Sequence, residues 1–179
     1  MYRRCPPKGV VVCFDEFGPI ELRPQHGYTW APSGHPHRLP ATYTRPHGVR
    51  HFFGLFDVHG NHLWGYFRAR KRSRETLGVL KLLRQRYPRR KRIHLILDNF
   101  SPHQRPEVLR WARKKENNMR LVWTPTNASW LNNIECRFTD VKNAVFTDTY
   151  YRSHSEVYKA TRAYIRYRNK YKKTSEKRH

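Results

Sequence analysis

Two short apolar runs, Gly9–Phe14 (GVVVCF) and Ile93–Leu97 (IHLIL), each break off at an aspartate, Asp15 and Asp98. Runs of this length, rich in branched side chains and bounded by turn residues, read as buried strands. Around them the period of the sequence changes. Val49–Val58 and His62–Phe67, joined by His59-Gly60-Asn61, read as a hairpin. Phe17-Gly18-Pro19 reads as a turn leading to a partner strand at Ile20–Arg23. The proline- and glycine-rich stretch from Pro24 to Gly48 reads as loop.

Helical periods follow. Leu77, Leu80, Leu83 and Tyr87 recur at helical spacing after Ser73, a candidate cap, and Pro88 closes the helix. A second helix is expected over Pro106–Glu116, with Pro106 in its first turn, and a short strand at Leu121–Trp123. Ser129 is the expected cap of a third helix, whose stripe is Leu131, Ile134, Phe138, Val141 and Val145. Ser153-x-x-Glu156 is a capping box opening the last helix, with an expected stripe of Val157, Ala160, Tyr164, Tyr167 and Tyr171. Arg168 falls on the expected solvent face. The order β-β-β-β-α-β-α-β-α-α makes an α/β fold, a mixed sheet flanked by helices. One domain over residues 1–171 and a basic tail over 172–179 account for the chain.

Charge bounds the partners. With 37 Lys and Arg against 13 Asp and Glu, the chain carries a formal net charge of +24. So much positive charge repels itself unless a polyanion is bound, and nucleic acid is the first candidate. No apolar run is long enough to span a membrane, and three widely spaced cysteines fit a reducing cytoplasm. Arg68, Arg70, Lys71, Arg72 and Arg74 place five bases in seven residues, and Arg162 and Arg166 punctuate the last helix. Arg84–Arg92 adds six more. Such residues hold and orient DNA through its phosphates without reading sequence.

Acids are few here, so their positions carry weight. Asp15 and Asp98 follow strands, and Glu135 sits in a helix beside its apolar stripe. Carboxylates at the ends of buried strands are costly unless paired or metal-bound. Two Mg²⁺ (or Mn²⁺) ions suit such a set, since these ions take oxygen ligands and can clamp both the attacking and leaving oxygens of a phosphoryl displacement. An aspartate after a strand is also an ordinary turn-former. Asp57, before Val58-His59-Gly60-Asn61, reads that way. Glu16 points to the opposite side from Asp15 if the strand continues and is second choice as a ligand.

Three stretches then resemble the DDE transposases of the mariner superfamily, in particular its bacterial insertion-sequence branch. Val12-Cys13-Phe14-Asp15-Glu16 is similar to the first-aspartate strand. Leu95-Ile96-Leu97-Asp98-Asn99, with His103 downstream, is similar to the second-aspartate motif. Thr124-Pro125 through Ser129-Trp130-Leu131-Asn132-Asn133-Ile134-Glu135 is similar to the stretch before the catalytic glutamate. Thirty-six residues separate Asp98 from Glu135, close to the family's spacing. Gly27–Pro32, with Trp30, is similar to the region after the first aspartate. Trp130 and Asn133 depart from the prolines of many eukaryotic members.

The resemblance implies a ribonuclease H-like fold, with Asp15, Asp98 and Glu135 as catalytic metal ligands. It implies cleavage at transposon ends and strand transfer into target DNA. Members usually carry a helix-turn-helix ahead of this domain, so a split or truncated transposase is expected, with a separate helix-turn-helix partner, a second copy of the chain as candidate dimer mate, and a cytoplasmic, nucleoid-associated location. Another ribonuclease H-like nuclease and a non-catalytic basic DNA-binding remnant are the alternatives.

Overall fold

A computed structural model describes residues 1–22, 32–35, 48–126, 128–147 and 149–175. The resemblance at Gly27–Pro32 falls almost wholly outside them, as does most of the expected loop at 24–48. Five strands form one sheet: β1 (Gly9–Glu21), β2 (Val49–Asp57), β3 (His62–Arg68), β4 (Arg92–Leu97) and β5 (Met119–Trp123). Their spatial order is β3-β2-β1-β4-β5. β1, β2 and β3 are antiparallel neighbours, whereas β4 runs parallel to both β1 and β5. The helices are α1 (Ser73–Arg86), α2 (Pro106–Arg113), α3 (Glu135–Val145) and α4 (His154–Ser175).

Strand alternation sorts the core into two layers. Val10, Val12, Phe14, Leu95 and Leu97 point to one face and pack with Val79, Leu80 and Leu83 of α1 and Val108 of α2. Val11, Cys13 and Ile96 point to the other, against Ile134 and against Phe138, Val141 and Val145 of α3 and Val157 and Ile165 of α4. Among the described residues, no helix is long and apolar enough to cross a membrane.

The structure corrects several expectations. Phe17-Gly18-Pro19 is not a turn. β1 continues through it as one strand, and the pairing shifts between Phe17 and Ile20. Gly18 takes a φ of 141°, open to glycine alone, and Pro19 has no N–H to offer a ladder, so both suit a bulge. The first helix is capped at Arg72 rather than Ser73, because the Glu75 carboxylate reaches back 3.1 Å to the Arg72 N–H. The second helix stops at Arg113, and a 3-10 turn over Lys115–Asn117 follows it. Ser129–Leu131 is likewise a 3-10 turn, which leaves Leu131 48% exposed and starts α3 only at Glu135.

The stripe of α4 is rotated from its expected position. Val157, Thr161, Ile165 and Arg168 are buried, while Tyr167 and Tyr171 are exposed. Arg168 can go inside because its guanidinium donates to the Asn61 carbonyl (2.8 Å) and side-chain oxygen (2.5 Å) and lies over the Phe56 ring. The capping box at its start is present: Glu156 N–H meets Ser153 Oγ at 3.3 Å, and Arg152 N–H meets the Glu156 carboxylate at 2.9 Å. The helix runs on to Ser175, into the segment expected as a tail, whose last four residues lie outside the described set.

Candidate active site

β1 and β4 bring the first two carboxylates to the same end of the sheet. Their parallel register pairs Cys13 with Ile96, so Asp15 and Asp98 each lie two residues further on, along strands running the same way. Asp15 is on the face that carries Cys13, and it is paired across β2 with Gly54. Burial pushes its pKa up, and the neighbouring Asp98 and Glu16 charges push it further, to about 7. The Glu16 N–H, 2.7 Å from Oδ1, works in the other direction. Asp15 is therefore a carboxyl that its own surroundings keep from ionising fully near neutral pH.

Asp98 has the opposite balance. Burial raises its pKa, but the hydrogen bond and charge of His103 outweigh that and hold it below the usual carboxylate range. His103 is fully buried between two acids, with Nδ1 2.9 Å from Asp98 Oδ1 and Nε2 2.9 Å from Glu16 Oε1. Both ring nitrogens face carboxylate oxygens, which suits the doubly protonated ring. Burial alone would lower the His103 pKa, and the bonds to Asp98 and Glu16 raise it to about 10. Glu16 does point away from Asp15, as alternation requires, and there it anchors the histidine. Parity along β1 could show its direction. The partner, 87 residues on, could not be read from the sequence.

α3 is seated over the same spot. A Cβ added at Gly54 would stand 2.5 Å from the Phe138 ring and 2.9 Å from the Ile134 side chain. Only glycine at this position lets the helix come so close to the sheet. Asn132 Nδ2 donates to the Phe14 carbonyl at 2.9 Å, one residue before Asp15. Ile134 and Phe138 thus seat the start of α3, where Glu135 stands, on the Asp15 face of the sheet. Among the described residues no three His, Cys, Asp or Glu side chains form a cluster set to hold a metal ion. The acids nevertheless fit a hard divalent cation. Asp15 and Asp98 offer oxygen alone, and their mutual repulsion is what a bound cation relieves.

The bases expected at DNA distribute unevenly. Lys71 stands beside the carboxylates: its Nζ is 4.7 Å over the Phe100 ring, and its charge helps to hold the Asp98 pKa down. Arg70, Arg72 and Arg74 are exposed nearby in sequence, and Arg68 is half-buried, donating to the Phe67 carbonyl at 2.9 Å. Arg162 and Arg166 are exposed on α4. Arg84 leaves the basic surface altogether. It is buried and donates to four carbonyls, of Tyr87, Pro88, Lys91 and Asn117, at 2.9–3.1 Å. Asp57 is a turn residue, accepting from the Gly60 N–H at 2.8 Å and the Tyr87 hydroxyl at 3.0 Å.

The family model for DDE superfamily endonucleases matches residues 10–158. The chain belongs to the DDE superfamily endonucleases. Its fold is similar to that of the mariner Mos1 paired end complex with Mg, at a TM-score of 0.66 and 13% identity over 92% of this chain and 50% of that one. The Mos1 strand transfer complex matches at 0.64 and 12% over 88% and 47%. A chain of the simian T-cell lymphotropic virus intasome in complex with PP2A regulatory subunit B56 gamma matches at 0.57 and 11% over 88% and 49%. This endonuclease chain therefore spans about half the length of those chains and shares the ribonuclease H-like fold of transposase and integrase cores. No curated protein sequence matches it.

Proposed function

We propose that this DDE endonuclease is the catalytic domain of a DNA transposase of the mariner superfamily, in its bacterial insertion-sequence branch. It cleaves phosphodiesters at transposon ends and joins them to target DNA. The observation that supports the reading is the approach of Asp15 and Asp98 on parallel strands, with the start of α3 seated on the Asp15 face at the Gly54 level. Asp15, Asp98 and Glu135 would hold two Mg²⁺ or Mn²⁺ ions. When bound, such ions activate a water and offset charge on the phosphate under attack. The protein orients the Asp98 carboxylate through His103 and Glu16. It places Lys71 where a phosphate oxygen can be held, and it buries Asp15, whose raised pKa a bound cation would bring down.

Arg68, Arg70, Arg72, Arg74, Arg162 and Arg166 are assigned to the DNA backbone and a second copy of the chain to a dimer. A helix-turn-helix region outside this domain would recognise the element ends, and the location would be cytoplasmic and nucleoid-associated. The test is nicking of supercoiled plasmid, then strand transfer from labelled element ends, with Mg²⁺ or Mn²⁺. Metal-dependent products that disappear in Asp98→Asn support the reading. Nicking that survives Asp98→Asn overturns it. Nicking without any strand transfer at element ends would instead favour a ribonuclease H-like nuclease of another kind.

A further inference from the structure

At the end of the sheet away from the carboxylates, the fold gathers bases that lie far apart in sequence. Arg89 comes from the turn before β4 and Arg92 from its first residue, and Arg113, Lys114 and Lys115 come from the end of α2 and the turn after it. Together they line an open groove of about 820 Å³, and Glu116 contributes the one carboxylate among its lining residues. Part of that acidic residue is already engaged: its backbone carbonyl accepts from Arg89 at 2.6 Å, and its carboxylate stands 3.9 Å from Lys114. Asn118, in the left-handed region with φ 43°, donates to the Arg89 carbonyl at 3.1 Å and shapes the groove floor. The positive field reaches the adjoining core. After burial, the charges of Arg120 and Arg92 are the largest causes that lower the His94 pKa.

We infer that this groove is a second DNA-backbone site, which holds a duplex other than the one presented to the carboxylates. Arg92 opens β4 and Asp98 follows its last residue, so at about 3.3 Å per residue the two sites are separated by about 20 Å along the strand. They open at opposite ends of the sheet. A duplex lying across the carboxylate end passes out of reach of the groove. Guanidinium and ammonium groups ringed around an open groove fit phosphodiester oxygens and carry no base readout. A protein that must bring two DNA segments together needs two such surfaces. In that one respect the inference rests on the proposed function.

The experiment counts duplexes per chain with short labelled DNA, by sedimentation and fluorescence titration at about 100 mM salt, where weak contacts are screened. The variants are Arg113→Gln/Lys114→Gln/Lys115→Gln and a charge-matched control on exposed positions elsewhere, Lys81→Gln/Lys159→Gln/Lys170→Gln. Two duplexes are expected per wild-type chain and per control chain, and one per groove variant. The salt slope of the second binding event should fall by about 3 in the groove variant at reduced salt, close to 0.9 per lost phosphate contact. One duplex per wild-type chain overturns the inference. So does equal loss in the groove and control variants, or two duplexes retained by the groove variant. Displacement of the second duplex by polyglutamate more readily than by a third duplex would give the groove to an acidic protein segment instead. No arm reads cleavage, so the outcome is separate from that of the nicking assay.

Discussion

Towards one end of the sheet, Asp57 gives each carboxylate oxygen to a donor, the Gly60 N–H and the Tyr87 hydroxyl. Towards the other, Asp15 receives one backbone N–H and faces the charges of Asp98 and Glu16. Both aspartates terminate or border apolar strand segments, and in sequence they look alike. One is complete as it stands, since its charge is matched by neutral donors in a tight turn. The other belongs to a set that carries excess negative charge in a chain of net charge +24. A structural acid is recognised by satisfied oxygens, and a functional acid by an imbalance that a ligand can remove.

Carboxylate-to-amide changes should separate the two ends most sharply. Asp15→Asn, Asp98→Asn and Glu135→Gln are expected to reduce metal-dependent nicking by at least about 100-fold, since on the proposed function each removes charge that would hold the ions. Asp57→Asn should nick at the wild-type rate within roughly 2-fold while unfolding at lower urea, because it disturbs a turn worth about 1–3 kcal/mol. Rate loss in Asp57→Asn equal to that in Asp98→Asn would erase the distinction.

Two glycines give a matched pair of smaller effect. A Cβ at Gly54 meets the Phe138 ring, and one at Gly60 stands 2.9 Å from the Asp57 carboxyl. Both alanine variants should lose about 1–3 kcal/mol of stability by overpacking. Only Gly54→Ala should also lose cleavage, by about 100-fold, since a shift of about 1 Å in α3 misplaces Glu135. Equal cleavage by the two variants would show that α3 does not position the glutamate.

His103, fully buried, props Asp98, and Tyr87, half-buried, props Asp57. His103→Gln is expected to weaken Mn²⁺ binding about 10–100-fold, the usual scale for a group that orients a ligand, as read by calorimetry. Tyr87→Phe should leave Mn²⁺ affinity unchanged and cost about 1 kcal/mol of stability. Unaltered Mn²⁺ binding in His103→Gln would remove the histidine from the site.

The smallest effect is on the pH profile. The pKa of folded His103 is about 10 against an ordinary 6.5. The raised value means that its stabilisation is fully present below about pH 6.5, shrinks above it and is lost as pH passes about 10. Burial, and then the charge of Asp57, raise the Tyr87 pKa well above the ordinary tyrosine value, so that prop outlasts the histidine. The stability gap between wild type and His103→Gln should therefore narrow between pH 7 and pH 10, while the gap for Tyr87→Phe stays constant. Parallel urea midpoints for all three proteins across that range would contradict the double hydrogen bond.

Much of this was legible in the chain. GVVVCF and IHLIL mark the central strands because buried strands have few other ways to look, and the aspartates after them stand out by position. Ile134, Phe138, Val141 and Val145 form the expected stripe of α3. What failed depended on partners distant in sequence. Arg168 looks like a solvent residue until Asn61, 107 positions earlier, supplies the oxygens that allow its burial. Arg84 looks like DNA-binding surface until four carbonyls converge on it. Phe17-Gly18-Pro19 has turn chemistry, but β2 alongside it supports a bulge instead. Gly54 carries no signal of its own, and its meaning comes from the ring that occupies the missing Cβ.

The parallel pairing of β1 with β4 also sets the order in which the protein comes into being. Antiparallel β1–β2–β3 can form from the first part of the chain, but Val12 meets Leu95 only after 82 residues of sequence have intervened. Glu135 arrives later still. At about 5–20 residues per second of synthesis, the growing chain spends seconds with two aspartates in place and the glutamate helix not yet made. If Asp15, Asp98 and Glu135 form the proposed cleavage site, a site divided this way across the polypeptide cannot be completed by an unfinished copy. On the proposed function, its late, long-range closure, slow in the manner of non-local sheets, would keep such a site silent until the chain is whole.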